Sequence, residues 1–241
     1  MIECENKQPV REKLLEEMKS GEFAGCDRLP RESMLAEMLG ISRTQLRDSL
    51  SSLEREGFIS RRHGVGTVIN HHVLEVRNRM DLETEFMDMV RNSGYSPAIG
   101  FISYETVACD NDIADRLAIC SGSPVLEVCR TVTADGKPAI YCKDYIDCGK
   151  IRDDAYDKSA LVMPIFHFLE EYCGLTAAMD LTEIRPAAAD KELAAIFKVE
   201  VGTPLLFMDE VDYDIEGNPI LCSYEYYVDG IITHPVMRKK F

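Results

Sequence analysis

Residues 29–69, LPRESMLAEMLGISRTQLRDSLSSLEREGFISRRHGVGTVI, leave this chain little freedom. Gly40 follows the apolar positions Leu35, Met38 and Leu39, where a glycine closes a helix. Two residues on, Ser42 can cap a new helix, and Gln45 stands where a capping box places its Glu or Gln. Leu46, Leu50 and Leu53 recur at steps of four and three, so one face of that second helix is core. Its other face opens with Arg43, Thr44, Gln45 and Arg47, the two arginines one turn apart. Such a helix start suits the major groove of DNA: arginine takes guanine edges, glutamine adenine, and threonine the thymine methyl. Phe58-Ile59 and Thr67-Val68-Ile69 read as two strands. The hairpin between them carries Arg61, Arg62 and His63 beside Gly64 and Gly66. Glycines allow close approach at the tip, and basic residues meet phosphate.

Helix, turn, helix and basic hairpin in this order resemble the winged helix-turn-helix of the GntR family of bacterial transcription regulators. The resemblance spans about forty residues. It implies that Arg43 and Arg47 contact phosphate and bases, and that His63 and Gly64 form the wing tip. Arg31 stands where the family has a capping serine, and Met34 where it has an acid. Either the second helix lacks its side-chain cap, at a cost of about 1 kcal/mol, or Arg31 is kept for a phosphate.

The net charge of −15 argues against a polyanion partner until it is divided along the chain. Residues 1–72 hold 11 Lys+Arg and 12 Asp+Glu; the remainder holds 16 and 30. Within 42–69 five arginines face three acids, so the reading surface is locally positive. No apolar run reaches membrane-spanning length and the N-terminus lacks a leader-like apolar core, so a cytoplasmic protein with no membrane partner is expected. The nine cysteines are scattered, with no C-x-x-C pair; they read as reduced thiols, with no metal or cofactor implied.

In chain order, residues 8–20 read as a first helix, 1–69 as the DNA-binding domain, 70–79 as a solvated linker, and 80–241 as a second domain. There, 81–92 reads as a helix with Leu82, Phe86, Met89 and Val90 inward. Strand 99–107, helix 110–118, and strands 125–134 and 139–146 follow, then helix 164–173. Strand 180–186, helix 189–197, and strands 205–213 and 220–228 complete the chain. The runs GSPVLEVCRTVTADGKPAIYCKDYID and GTPLLFMDEVDYDIEGNPILCSYEYYV echo each other. The fold class is α+β: a winged helix-turn-helix, then an antiparallel sheet with flanking helices in two pseudo-symmetric halves.

That second layout is similar to the UTRA effector-binding domain of the HutC branch of the family, which shares its fold with chorismate lyase. The resemblance implies a small-molecule effector. Strand alternation puts Leu221, Ser223, Glu225 and Tyr227 on one face, and pairs Arg130 with Val132 and Cys142 with Asp144. Arg130 matches the first of two family arginines that hold an anionic group. Val132, Cys142, Leu221, Pro164 and Phe166 replace polar family positions, while Tyr227 is retained. A less polar or singly anionic ligand, with Arg130 as counter-ion, is the expectation; the alternative is an Arg130 paired to an acid for structure. The effector-site candidates are Arg130, Cys142, Asp144, Ser223, Glu225 and Tyr227. The expected protein is a homodimeric repressor of a palindromic operator, released by its effector. An enzyme of the chorismate-lyase type is the competing reading, although no catalytic pair stands out. A second domain that only dimerises is a third.

Overall fold

The structure, a computed structural model, describes residues 7–62, 64–153, 155–156 and 158–239. It comprises two units, one of residues 1–82 with 235–241 and one of residues 83–234.

In the first unit, α1 (Lys7–Lys19), α2 (Glu32–Leu39) and α3 (Arg43–Arg55) precede a two-stranded hairpin, β1 (Ile59–Arg62) and β2 (Gly66–Ile69). Leu14, Met18, Leu35, Leu46, Leu50, Leu53 and Ile59 form its core, nearly all without solvent contact. Each buried leucine contributes about 1.5–3 kcal/mol, which orders helices too short to persist alone. Gly40 ends α2 in the left-handed conformation, φ 67°. Arg31 occupies the α2 N-cap without a side-chain cap bond, as its sequence implies. Ser42 and Gln45 complete the capping box of α3.

The segment expected as a solvated linker is built into this unit. Asn70–Glu75 brackets a short helix, α4 (His71–Leu74), and Val73, Asn78 and Arg79 are buried. Val73 supplies the apolar anchor that the polar neighbours Asn70, His71 and His72 disguise in the sequence. His71 Nε2 lies 3.0 Å from the Cys26 carbonyl. The expected helix 81–92 starts five residues later, as α5 (Phe86–Asn92). Leu82 packs on the core of the first unit instead.

The second unit is one six-stranded antiparallel sheet: β3 (Pro97–Ala108), β4 (Pro124–Ala134), β5 (Lys137–Asp147), β6 (Met179–Ala188), β7 (Pro204–Tyr213) and β8 (Pro219–Val228). Their spatial order is β3-β4-β5-β8-β7-β6, so the echoed runs form mirrored halves that meet where β5 pairs β8. Helices α6 (Asn111–Leu117) and α9 (Lys191–Phe197), capped by Asp110 and Asp190, occupy equivalent places in the halves. Both cover one face: Ile113 and Leu117 pack on Val125 and Cys222, Leu193 and Phe197 on Cys129 and Leu205. Part of the other face is covered by α7 (Lys158–Val162) and α8 (Ile165–Phe168), through Leu161, Ile165 and Phe168 on Leu126, Val128 and Ile146. The expected helix 164–173 is divided, because a π-helical turn takes over at Leu169–Cys173.

Candidate nucleic-acid interface and effector cleft

The first turn of α3 presents Arg43, Thr44 and Arg47 to solvent, opposite the buried Leu46–Leu50–Leu53 face. Arg47 donates from Nε to Glu32 of α2 at 2.8 Å while its side chain stays 68% exposed. A pair this exposed is worth little and is easily exchanged for a phosphate. Arg31, Arg62 and Gly64 are also exposed. Gly64, at φ 77°, turns the wing tip with open space around the position of a side chain. Three predicted contacts need correction or restriction. Gln45 is half-buried, and its Oε1 accepts from the Ser42 backbone at 3.1 Å and from its hydroxyl at 2.9 Å, so helix capping engages the group meant for a base. Arg61 is not a free phosphate ligand: Nε donates to Glu54 at 2.7 Å and Nη2 to Ser51 at 3.0 Å, which ties the wing to α3. His63 lies outside the described residues.

Arg28 was missed by sequence reasoning. It sits in the loop before α2, bridges to Val68 of the wing, and donates to the Val65 carbonyl at 3.2 Å, leaving an exposed cation beside the wing tip. The far end of α3 is equally built. Arg79 Nη1 donates to the Glu56 carbonyl at 2.6 Å, and Lys239 Nζ donates to the carbonyls of Glu54 and Arg55. Two cations thus complement the negative end of the helix dipole. Arg11 adds a bidentate pair to the Glu56 carboxylate, and Met237 covers Gly57.

In the second unit, strand register places Arg130, Val132, Cys142, Asp144, Leu221, Ser223, Glu225 and Tyr227 on the sheet face away from α6 and α9. There a cleft with about 50 Å³ open to water-sized molecules, about 590 Å³ when all empty space out to its open mouth is counted, is roofed by residues 83–87 and 162–166. Arg130, Asp144, Ser223 and Glu225 line it, as do Val132, Leu221, Pro164 and Phe166, the positions at which polar family residues are replaced. Cys142 and Tyr227 lie behind it, not in it: Cys142 is fully buried against Asp144, and Tyr227 donates to Glu225 at 2.5 Å and packs between Phe86 and His234.

Arg130 is no free counter-ion. Nη2 donates to Asp144 at 2.5 Å, Nη1 to the Met163 carbonyl at 3.1 Å, and Ser223 donates to the second Asp144 oxygen at 2.8 Å. Burial works against the guanidinium charge, and Asp144 more than offsets it. The acids beside this pair are different. Glu210 lines the cleft and accepts from Thr182 at 2.7 Å; burial, with Asp180 nearby, pushes its carboxyl up to about 7. Asp212, two residues along the same face, is pushed up to about 9 by burial and by Glu210. Burial, then Glu210, pushes the Glu225 carboxyl well above the usual range. Glu85 rises through burial. The sequence signal for this acidity was the run Asp209-Glu210-Val211-Asp212, whose alternation sends Glu210 and Asp212 to one side. Asp209 points the other way, to Arg116 and Arg185.

A model of the UTRA domain matches residues 92–229, more than half of the chain, and a model of bacterial regulatory proteins of the gntR family matches residues 6–69. The chain belongs to the GntR family and carries a UTRA domain. This regulator is 26% identical to the HTH-type transcriptional repressor NagR of Bacillus subtilis, over 85% of this chain and 82% of that one. It is 24% identical to the probable fructoselysine utilization operon transcriptional repressor of Escherichia coli, over 96% and 93%. Its fold matches that of the possible transcriptional regulator YydK of B. subtilis, with TM-score 0.79, 18% identity and coverage of 97% and 99%. PhnF of Mycobacterium smegmatis matches with TM-score 0.60, 20% identity and the same coverage. The regulator is thus a DNA-binding transcription regulator with an effector-binding domain, and not an enzyme. Among the described residues no helix is long and apolar enough to cross a membrane.

Proposed function

We propose that the regulator is a cytoplasmic repressor of the HutC branch, that the first unit is its DNA head, and that the cleft of the second unit holds its effector. The observation that carries the reading is the exposed first turn of α3, with Arg43, Thr44 and Arg47, next to a glycine-tipped wing bearing Arg62 and flanked by Arg28 and Arg31. Arg43 and Arg47 read base edges or phosphates, and the others position the head on the backbone.

Two heads act together in a homodimer, on half-sites separated by about one DNA turn, roughly 34 Å. The second unit supplies the dimer contact. Support comes from β6, an edge strand on which Met179, Leu181 and Ile184 stay 57%, 69% and 48% exposed; an open, apolar edge invites pairing with another chain. The cleft roof begins at Glu83, directly after Leu82 of the first unit's core, so an occupant acts on the segment that leads into the head. A bias of about 1–3 kcal/mol between dimer geometries suffices for release.

Fluorescence anisotropy on the DNA upstream of the regulator's own gene tests this. Salt-sensitive binding with two heads per site, released by a small molecule and lost in the Arg43→Ala/Arg47→Ala double variant, is the expected result. Equal binding by wild type and double variant would remove α3 from the interface.

A further inference from the structure

The charge of the cleft identifies what it is built to hold. It is lined by five carboxylates, Glu83, Glu85, Asp144, Glu210 and Glu225, against one guanidinium, Arg130. Asp144 is neutralised by Arg130 at 2.5 Å. The other four make no ion pair with a lining residue; Glu85 alone feels the charges of His167 and Arg130 from a distance. Burial makes Glu210 and Glu225 hold their protons more tightly; an ammonium group can take the place of those protons, whereas an anion would add to the cost of ionising them.

One buried polar atom of the lining asks for a ligand. Arg130 is 3% exposed and its Nε has no acceptor. It requires an oxygen or nitrogen acceptor.

Spacing selects among cations. Glu210 pairs with Ser223, so Glu225 is its diagonal neighbour on the adjacent strand. Diagonal positions lie about 7–8 Å apart at Cα, a span that an ammonium group bridges by donating to both carboxylates. Among the described residues, no three acids, histidines or cysteines converge tightly enough to hold a metal ion. Apart from Thr84 and Ser223 the rest of the lining is apolar, including Phe86, Ile99, Val132, Met163 and Phe166.

From this geometry we propose that the cleft takes an organic cation, a primary or secondary amine on a largely apolar frame, with its nitrogen between Glu210 and Glu225 and an acceptor atom toward Arg130 Nε. The assignment rests on the reading of the cleft as the effector site and names the class of effector. It replaces the less polar or singly anionic ligand, with Arg130 as counter-ion, that the sequence suggests.

Thermal unfolding of the full-length protein tests it. The probes are pentane-1,5-diamine, tyramine and L-lysine, with hexanoate, glucose 6-phosphate and Mg²⁺ as contrasts, each at millimolar concentration. At least one amine raises Tm by several degrees and the contrasts do not. Glu210→Gln removes that rise, although its ligand-free Tm equals or exceeds that of the parent because one repelling charge is gone. The rise is also lost in Glu225→Gln, which keeps the size and hydrogen-bonding capacity of the side chain. The proposal is overturned if every amine leaves Tm unchanged, if the rise survives both substitutions, or if Mg²⁺ alone produces it. A rise with hexanoate or glucose 6-phosphate alone overturns the amine and leaves effector control standing. An amine that raises Tm yet leaves operator anisotropy unmoved retains the cation site and removes effector control.

Discussion

The two units treat charge in opposite ways. In the first, several acids are matched, Glu54 holding Arg61, Glu56 holding Arg11 and Asp81 holding Arg79, and exposed arginines stand on α3, on the wing and in the loop before α2. In the second, Glu210, Asp212 and Glu225 sit buried on one sheet face without cations of their own. A surface that meets a polyanion needs outward cations and a rigid, neutralised base beneath them. A pocket can instead leave one sign of charge uncompensated, if its occupant brings the other. The chain's net charge of −15 is therefore a property of its sensing half and says little about its DNA head.

Four experiments break or sharpen that contrast. The largest effect is expected from Arg130→Met, which leaves Asp144 buried without its cation. Loss of one partner of a buried pair costs about 3–5 kcal/mol, so urea unfolding shows the second unit melting well before the parent. An unchanged midpoint would mean that the pair is dispensable.

Next, Arg43→Ala lowers operator affinity by about ten- to a hundredfold. Arg61→Ala lowers it less, because Arg61 acts through Glu54 and the set of the wing. Equal losses in an anisotropy titration would erase the distinction between reading and bracing arginines.

The third effect is a pH trend. Glu210 and Asp212 have folded-state values raised to about 7 and about 9, above the roughly 4 of an unfolded chain. The folded state then binds more protons than the unfolded state between about pH 4 and pH 9. Stability falls as pH rises through that window, fully present below it. Melting of the second unit, followed by circular dichroism, drops by several degrees from pH 6 to pH 9, and Glu210→Gln flattens the slope. The matched first unit shows no such trend.

The smallest effect is Lys239→Ala, which removes one of two cations at the end of α3 and costs about 0.3–1 kcal/mol in the first unit, visible as a small downward shift in its melting.

What the sequence disclosed follows physical range. The capping box of Ser42 and Gln45, the leucine stripe of α3 and the Gly40 turn are local, and they were legible. So was the alternation that puts Ser223 and Glu225 on one face, because a strand has period two. The pairing of Arg61 with Glu54 was hidden, since it depends on how the hairpin folds back on α3. The Arg130–Asp144 pair was legible only as one of two readings of a lone arginine. Val73 and Arg79 looked like linker because their burial is supplied by residues far away in sequence. Glu83 and Glu85 were assigned to a helix, although they lie in the extended segment before α5 that roofs the cleft.

The first unit is assembled from two stretches of chain, 1–82 and 235–241. Met237 over Gly57, and Lys239 on the last carbonyls of α3, come from the second stretch. During synthesis, about 150 residues of the sensing unit leave the ribosome between these two pieces. The unit that carries α3 is thus begun before the sensing unit and added to after it. A nascent chain stalled inside the sensing unit carries an α3 that still lacks the contacts of Met237 and Lys239.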